Sequence, residues 1–144
     1  MKTLISLFFA LFACPDKCCD GAVQIEPSQY NLNDLLAAIA QVESGNCATA
    51  HNKEEDAVGL YQIRKIYVDD VNRILGKPYF SYKDRWNPHK SRDMVCIYII
   101  HYGQGKAVEQ LARIHNGGPR GWKKKSTIPY WSKVKKVLED NGTS

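Results

Sequence analysis

With 144 residues, 44% of them apolar and 24% charged, the chain has the make-up of an ordinary globular protein and leaves room for one compact domain with one hydrophobic core. Several domains are excluded by length. Lysine and arginine outnumber aspartate and glutamate by 20 to 15, a formal charge of +5, so an acidic partner fits: nucleic acid, anionic lipid, or a bacterial wall rich in carboxylates and phosphates.

The chain opens on MKTLISLFFALFACPDKCCDG, one early lysine and then an apolar run of about eleven residues, too short to span a bilayer but right for a secretory signal core. Residues 1–22 are therefore read as an export segment and residues 23–144 as the domain, with the protein secreted, periplasmic or at the cell surface. LFAC also resembles a bacterial lipoprotein box in which Cys14 becomes a lipid anchor, although Phe12 fits that box poorly. An uncleaved membrane anchor is a third option. Five cysteines in an exported chain point to oxidation, and the odd count gives one of them a separate fate. With Cys14 lipidated or removed, Cys47 and Cys96 are the natural disulfide pair inside the domain. A zinc site built on Cys14, Cys18 and Cys19 is weak, because the second ligand cluster is missing.

After a short linker, VQIEPSQYN, comes the first helix. Leu32, Leu35, Leu36, Ile39 and Val42 recur at the spacing of one helix face, with Asn31 or Asn33 as cap and Gly45 as terminator. At about 100° per residue Glu43 falls within roughly 40° of Leu32, Leu36 and Ile39, so an acid sits inside the apolar stripe. Partial burial and the negative helix end both favour its protonated form, the form a general acid needs in order to protonate a leaving-group oxygen. The competing reading is a terminal glutamate whose flexible side chain bends out to water.

Ile63, Ile66, Tyr67, Val71, Ile74 and Leu75 mark a second helix closed by Gly76 and Pro78; Met94, Val95, Tyr98 and His101 or Tyr102 mark a third, with Ser91 as cap. Val108, Leu111, Ala112 and His115 mark a fourth, ended by Gly117 and Gly118, and Tyr130, Trp131, Val134, Val137 and Leu138 a fifth. Alternating strand patterns are nearly absent. The fold class is mainly α, a single helical domain with irregular loops near residues 45–58, 76–90 and 116–127. Those loops hold many aromatic groups: packing is the first role for Tyr79, Phe80 and Trp86, while Trp122 is balanced between packing and gripping a sugar face. Lysines gather at Lys123, Lys124, Lys125, Lys133, Lys135 and Lys136, a pattern that usually means a solvated face.

Three segments stand in order: QVESG at 41–45, AVGLYQI at 57–63 and ARIHNGGP at 112–119. Together they resemble the soluble lytic transglycosylase (SLT) domain and its relative, goose-type lysozyme, over most of residues 32–138. The resemblance implies a lysozyme-like domain with a loop-built cleft that cuts the β-1,4 bond between N-acetylmuramic acid and N-acetylglucosamine in peptidoglycan. It implies Glu43 as the catalytic acid with Ser44 beside it. Gly59, Leu60, Tyr61 and Gln62 correspond to the segment that faces the glycan, and Asn116, Gly117, Gly118 and Pro119 to the later cleft segment. His115 stands where the family usually has a tyrosine near the acid, which makes it a partner for Glu43. The glycines of both segments suit close approach of a polymer and tight turns.

The expected function is that of a monomeric, secreted muramidase acting on glycan strands, with no metal or organic cofactor and no nucleic-acid partner, since base-reading and phosphate-cradling motifs are lacking. Chitin is the nearest alternative substrate, and a catalytically silent wall-binding module the alternative of a different class. Glu54, Glu55 and Asp56 lie just before the AVGLYQI glycine, where goose-type lysozymes carry water-positioning acids. Inverting hydrolysis needs a second carboxylate about 6.5 to 9.5 Å from the acid, whereas a transglycosylase closes a 1,6-anhydro ring without one. Hydrolysis with Asp56 or Glu55 as base is the favoured expectation.

Overall fold

The structure is a computed structural model and describes residues 30–142. The export segment, Cys14, Cys18, Cys19 and nearly all of the linker lie outside the described residues. Helix α1, Leu32–Ser44, starts with a reciprocal cap: the Asp34 N–H donates to Asn31 Oδ1 at 3.0 Å, and the Asn31 N–H donates to Asp34 Oδ2 at 2.9 Å. Gly45 ends it in the left-handed region at φ 62°. Both ends follow the sequence expectation.

The loop at 45–58 contains one small antiparallel ribbon, β1 (His51–Asn52) with β2 (Ala57–Val58), in which His51 faces Val58 and Asn52 faces Ala57. Strands of two residues are too short for alternation to register. Helix α2 spans Lys65–Leu75 and is closed by Gly76; Ile63 precedes it and bridges back to Val58. A 3-10 turn at Tyr82–Trp86 leads to α3, Pro88–Tyr102. That helix starts earlier than a Ser91 cap would allow. Asn87 accepts from the N–H groups of His89 and Lys90 at 3.0 and 3.1 Å with proline at the first helical position, and Ser91 is buried inside the helix.

Helix α4, Val108–Gly117, ends at Gly118, and two 3-10 turns at Gly121–Lys123 and Lys125–Thr127 carry the chain into α5, Ile128–Gly142. Helix α1 packs on α5 and α4, and α3 lies between α2 and α4. Leu36, Ile39, Val68, Met94, Ile99, Ile114 and Leu138 meet in one core, each essentially inaccessible to water. Burial of such a side chain contributes about 1.5 to 3 kcal/mol, so five helices hold one another without a large sheet. The described domain is mainly α, as expected.

The disulfide is not. Cys47 and Cys96 are not joined: Cys47 is exposed in the turn after α1, its Sγ 3.4 Å from Thr49 Oγ1, and Cys96 lies on α3. The end of α1 is fastened in another way. Ser44 Oγ donates to the Leu60 carbonyl at 2.8 Å and accepts from the Cys47 N–H at 3.1 Å, which ties the helix end to the following loop and leaves Cys47 turned to solvent.

Candidate active site

Glu43 occupies the last turn of α1 with 19% of its side chain exposed, between the buried and solvated extremes weighed from sequence. Three other helices converge on it. From α5 the Tyr130 hydroxyl donates to Glu43 Oε1 at 2.8 Å, across 87 residues of chain; from α4 His115 Nε2 stands 3.4 Å from the same oxygen; and from α2 the Tyr67 hydroxyl shares a 3.3 Å hydrogen bond with His115 Nδ1. His115 is thus the partner of Glu43 that the altered motif suggested. Burial first, and then the neighbouring Glu43 carboxyl, push the Tyr130 hydroxyl well above the usual phenol range. Burial does the same to Tyr67, helped by Tyr98 and Glu43. Both phenols stay protonated at working pH and act as fixed hydrogen-bonding groups.

Both contacts fall on Oε1. Among the described residues no buried side-chain polar atom lacks a partner, so Oε2, which takes no hydrogen bond there, is not sealed from solvent. Glu43 lines a pocket of about 200 Å³ together with Asn52, Glu55, Gln62, Arg64 and Asn116, with Tyr67 and His115 as its wall. A larger cavity of about 680 Å³ shares Arg64, Tyr67, His115 and Asn116 with it and runs on along α2 to Gly117, Pro119 and Lys124. The two lie side by side on these shared residues.

Other sequence candidates serve the scaffold. Gln62 sits at φ 47°, an unfavourable region for a residue with a side chain, and its Nε2 donates to the carbonyls of Ala50 and Gly59 at 3.2 and 2.9 Å. That fixes the amide with its oxygen left over for the pocket. Gly59 is buried and has φ 76°; a Cβ there would run into the Arg85 carbonyl, so its bareness admits protein backbone rather than a polymer. Tyr61 is core, Leu60 packs against the core, and Ser44 is the tether described above. Trp122 lines neither cavity; Lys106 and Lys123 place their ammonium groups 5.0 and 4.9 Å from its ring centre.

The acids separate in the same manner. Asp56 is engaged by Lys65 at 3.0 Å and by the buried Arg85 at 3.5 Å, and the Lys65 contact followed by the Arg85 charge holds its carboxyl below the usual range. It does not line the pocket. Glu55 does, and its nearest cation is Arg64 at 4.0 Å. Sequence reasoning missed Tyr130 and Tyr67, whose spacing marks them only as helix-face residues, along with Asn52 and the structural Arg85. Their polar tips were the available signal.

The family model of the transglycosylase SLT domain matches residues 23–137. The chain belongs to that family. This SLT domain is 36% identical to a lysozyme of Magallana gigas over 106 residues, 69% of this chain and 74% of that protein. It is 33% identical to a lysozyme of Meretrix lusoria over 114 residues, 74% of this chain and 90% of the other. Invertebrate-type lysozyme 6 of Caenorhabditis elegans is 32% identical over 74% of the chain and 86% of its own length. Among solved structures, a chain in the crystal structure of Aeromonas hydrophila PliI in complex with Meretrix lusoria lysozyme superposes with a TM-score of 0.62 at 32% identity, covering 76% of this chain and 89% of that one. The SLT domain described here is a lysozyme-like, glycoside-cleaving enzyme.

Proposed function

We propose that this SLT domain is a secreted muramidase that hydrolyses the β-1,4 bond between N-acetylmuramic acid and N-acetylglucosamine, with Glu43 as general acid. The observation that carries the reading is the arrangement at Glu43: Oε1 engaged by Tyr130 and faced by His115, in a carboxyl that lines a pocket. The proton on Oε2 passes to the glycosidic oxygen, the C–O bond breaks, and positive charge develops at the anomeric carbon. Tyr130 stabilises the carboxylate left behind by the same hydrogen bond, strengthened as its acceptor gains charge.

Water then adds to the anomeric carbon, and Glu55 is the base that takes its proton. The argument for Glu55 over Asp56 is occupancy, because Lys65 and Arg85 already hold Asp56 while Glu55 lines the pocket with Glu43. Lysozyme relatives support hydrolysis. The family's transglycosylase description supports a second reading, in which the muramic 6-hydroxyl adds instead and no external water is consumed. Export rests on the apolar run near Leu7 to Phe12.

Digestion of purified peptidoglycan followed by mass analysis of the released muropeptides tests both points. Hydrolysis gives ordinary reducing ends; products lighter by one water throughout would replace Glu55 and its water by ring closure and leave Glu43 in its role. Glu43→Gln is expected to keep the fold, read by circular dichroism, and to lose about 10²- to 10⁴-fold in lytic rate, because the amide keeps the shape and cannot donate the proton.

A further inference from the structure

The larger cavity is the wrong kind of surface for sugar alone. A strand of N-acetylated sugars is uncharged and is commonly gripped by aromatic faces and neutral hydrogen-bonding groups. The 680 Å³ cavity is instead walled by α2 with Arg64 at one end, Arg73 at the other and Asp69 and Asp70 between them, faced by Lys124. Arg73 follows the N-cap Arg64 by nine positions, about 13 Å along the axis.

The occupancy of these charges is uneven. Arg73 pairs with Asp70, which also accepts from the Tyr102 hydroxyl at 2.8 Å, and Asp69 accepts from the Tyr82 hydroxyl at 2.9 Å. Arg64 has only Glu55 near it, at 4.0 Å, with 54% of its side chain exposed, and the exposed Lys124 reaches back to the Gly117 carbonyl at 2.6 Å. Two cations therefore stand at the cavity with room to take a carboxylate, beside an exposed Asp69 that can take an ammonium group. Asn116, His115 and Tyr67 line both this cavity and the Glu43 pocket, so the two are neighbours.

We infer that the cavity binds the peptide stem carried by the muramic acid of peptidoglycan, with Arg64 and Lys124 holding its carboxylates and Asp69 facing its free amine. The inference rests on the glycosidase reading and adds to it the feature that separates wall glycan from chitin, which has the same linkage and no stem. Opposite charges on one wall suit a zwitterionic peptide and select against a neutral strand.

The test compares intact glycan strands with the same strands stripped of stems by an amidase, which leaves each muramic acid one lactyl carboxylate and no amine, and titrates a soluble lactoyl tetrapeptide into the protein. The wild type is expected to cleave intact strands with a kcat/KM about tenfold or more above stripped ones and to bind the peptide in a salt-sensitive manner. In Lys124→Ala the ratio should fall toward one and peptide binding should weaken by about tenfold. Equal rates on the two polymers, or peptide binding that Lys124→Ala and Arg64→Ala leave untouched, would overturn the inference and spare the glycosidase reading. Failure to cleave either polymer would strike at that reading, and the titration then decides alone: binding lost in the two variants keeps the cavity's assignment, and no binding removes it.

Discussion

Tyr130 and His115 both meet Glu43 at Oε1, so in the proposed mechanism each neighbour has a separable effect. Tyr130→Phe keeps the ring in the core and removes one donor. A hydrogen bond to a group that becomes charged contributes about 1.5 to 3 kcal/mol, so the variant is expected to lose roughly tenfold or more in kcat while losing only about 1 kcal/mol in unfolding free energy. A kcat unchanged in that variant would show that the contact serves only packing. Near by, Cys47 offers a measurement at a different atom. Its exposed thiol is held below the ordinary range by hydrogen bonding to Thr49, so thiolate is present at lower pH than for an ordinary cysteine. Its alkylation should accelerate with rising pH about a midpoint lower than that of a model thiol, and Thr49→Ala should move the midpoint up.

At the level of elements, most of the chain was legible because glycines punctuate it. Gly45, Gly76 and Gly118 close α1, α2 and α4 where the periodicity stops. Helix α3 was misjudged at its start because an asparagine and proline outside the apolar pattern cap it, and Ser91, a good cap by residue type, is buried against the core. The placement of Glu43, His115 and Gln62 around one pocket was readable from three short segments. Tyr130 was not, because hydrogen bonding across 87 residues leaves no mark on local spacing. The 3-10 turn before α3 has its own acid-sensitive fastening: Lys90, followed by the Ser81 N–H, holds the Asp84 carboxyl below the usual range. A depressed folded-state value means stability that is complete above the unfolded value of about 4 and is lost as pH falls through the lower folded one. Asp84→Asn should therefore lower stability at pH 7 and change little below the folded value, flattening the acid side of the stability curve measured by urea unfolding over a pH series.

Across the whole molecule, a charge of +5 and a polyanionic wall make productive encounter dependent on ionic strength. The Debye length shrinks from about 30 Å at 0.01 M to about 10 Å at 0.1 M, so the lytic rate on whole wall should drop over that range, while cleavage of a short uncharged glycan should hold steady. The joining of α1 to α5 has a further consequence. All three segments that reveal the enzyme in its sequence end by Pro119, yet the acid's hydroxyl donor is supplied from Tyr130 in the final helix. A fragment cut after Pro119 would carry all three segments and lack that donor. Conversely, whatever loosens α5 from α1 weakens the hold on Glu43, so the last helix is a handle on activity that lies outside all three segments.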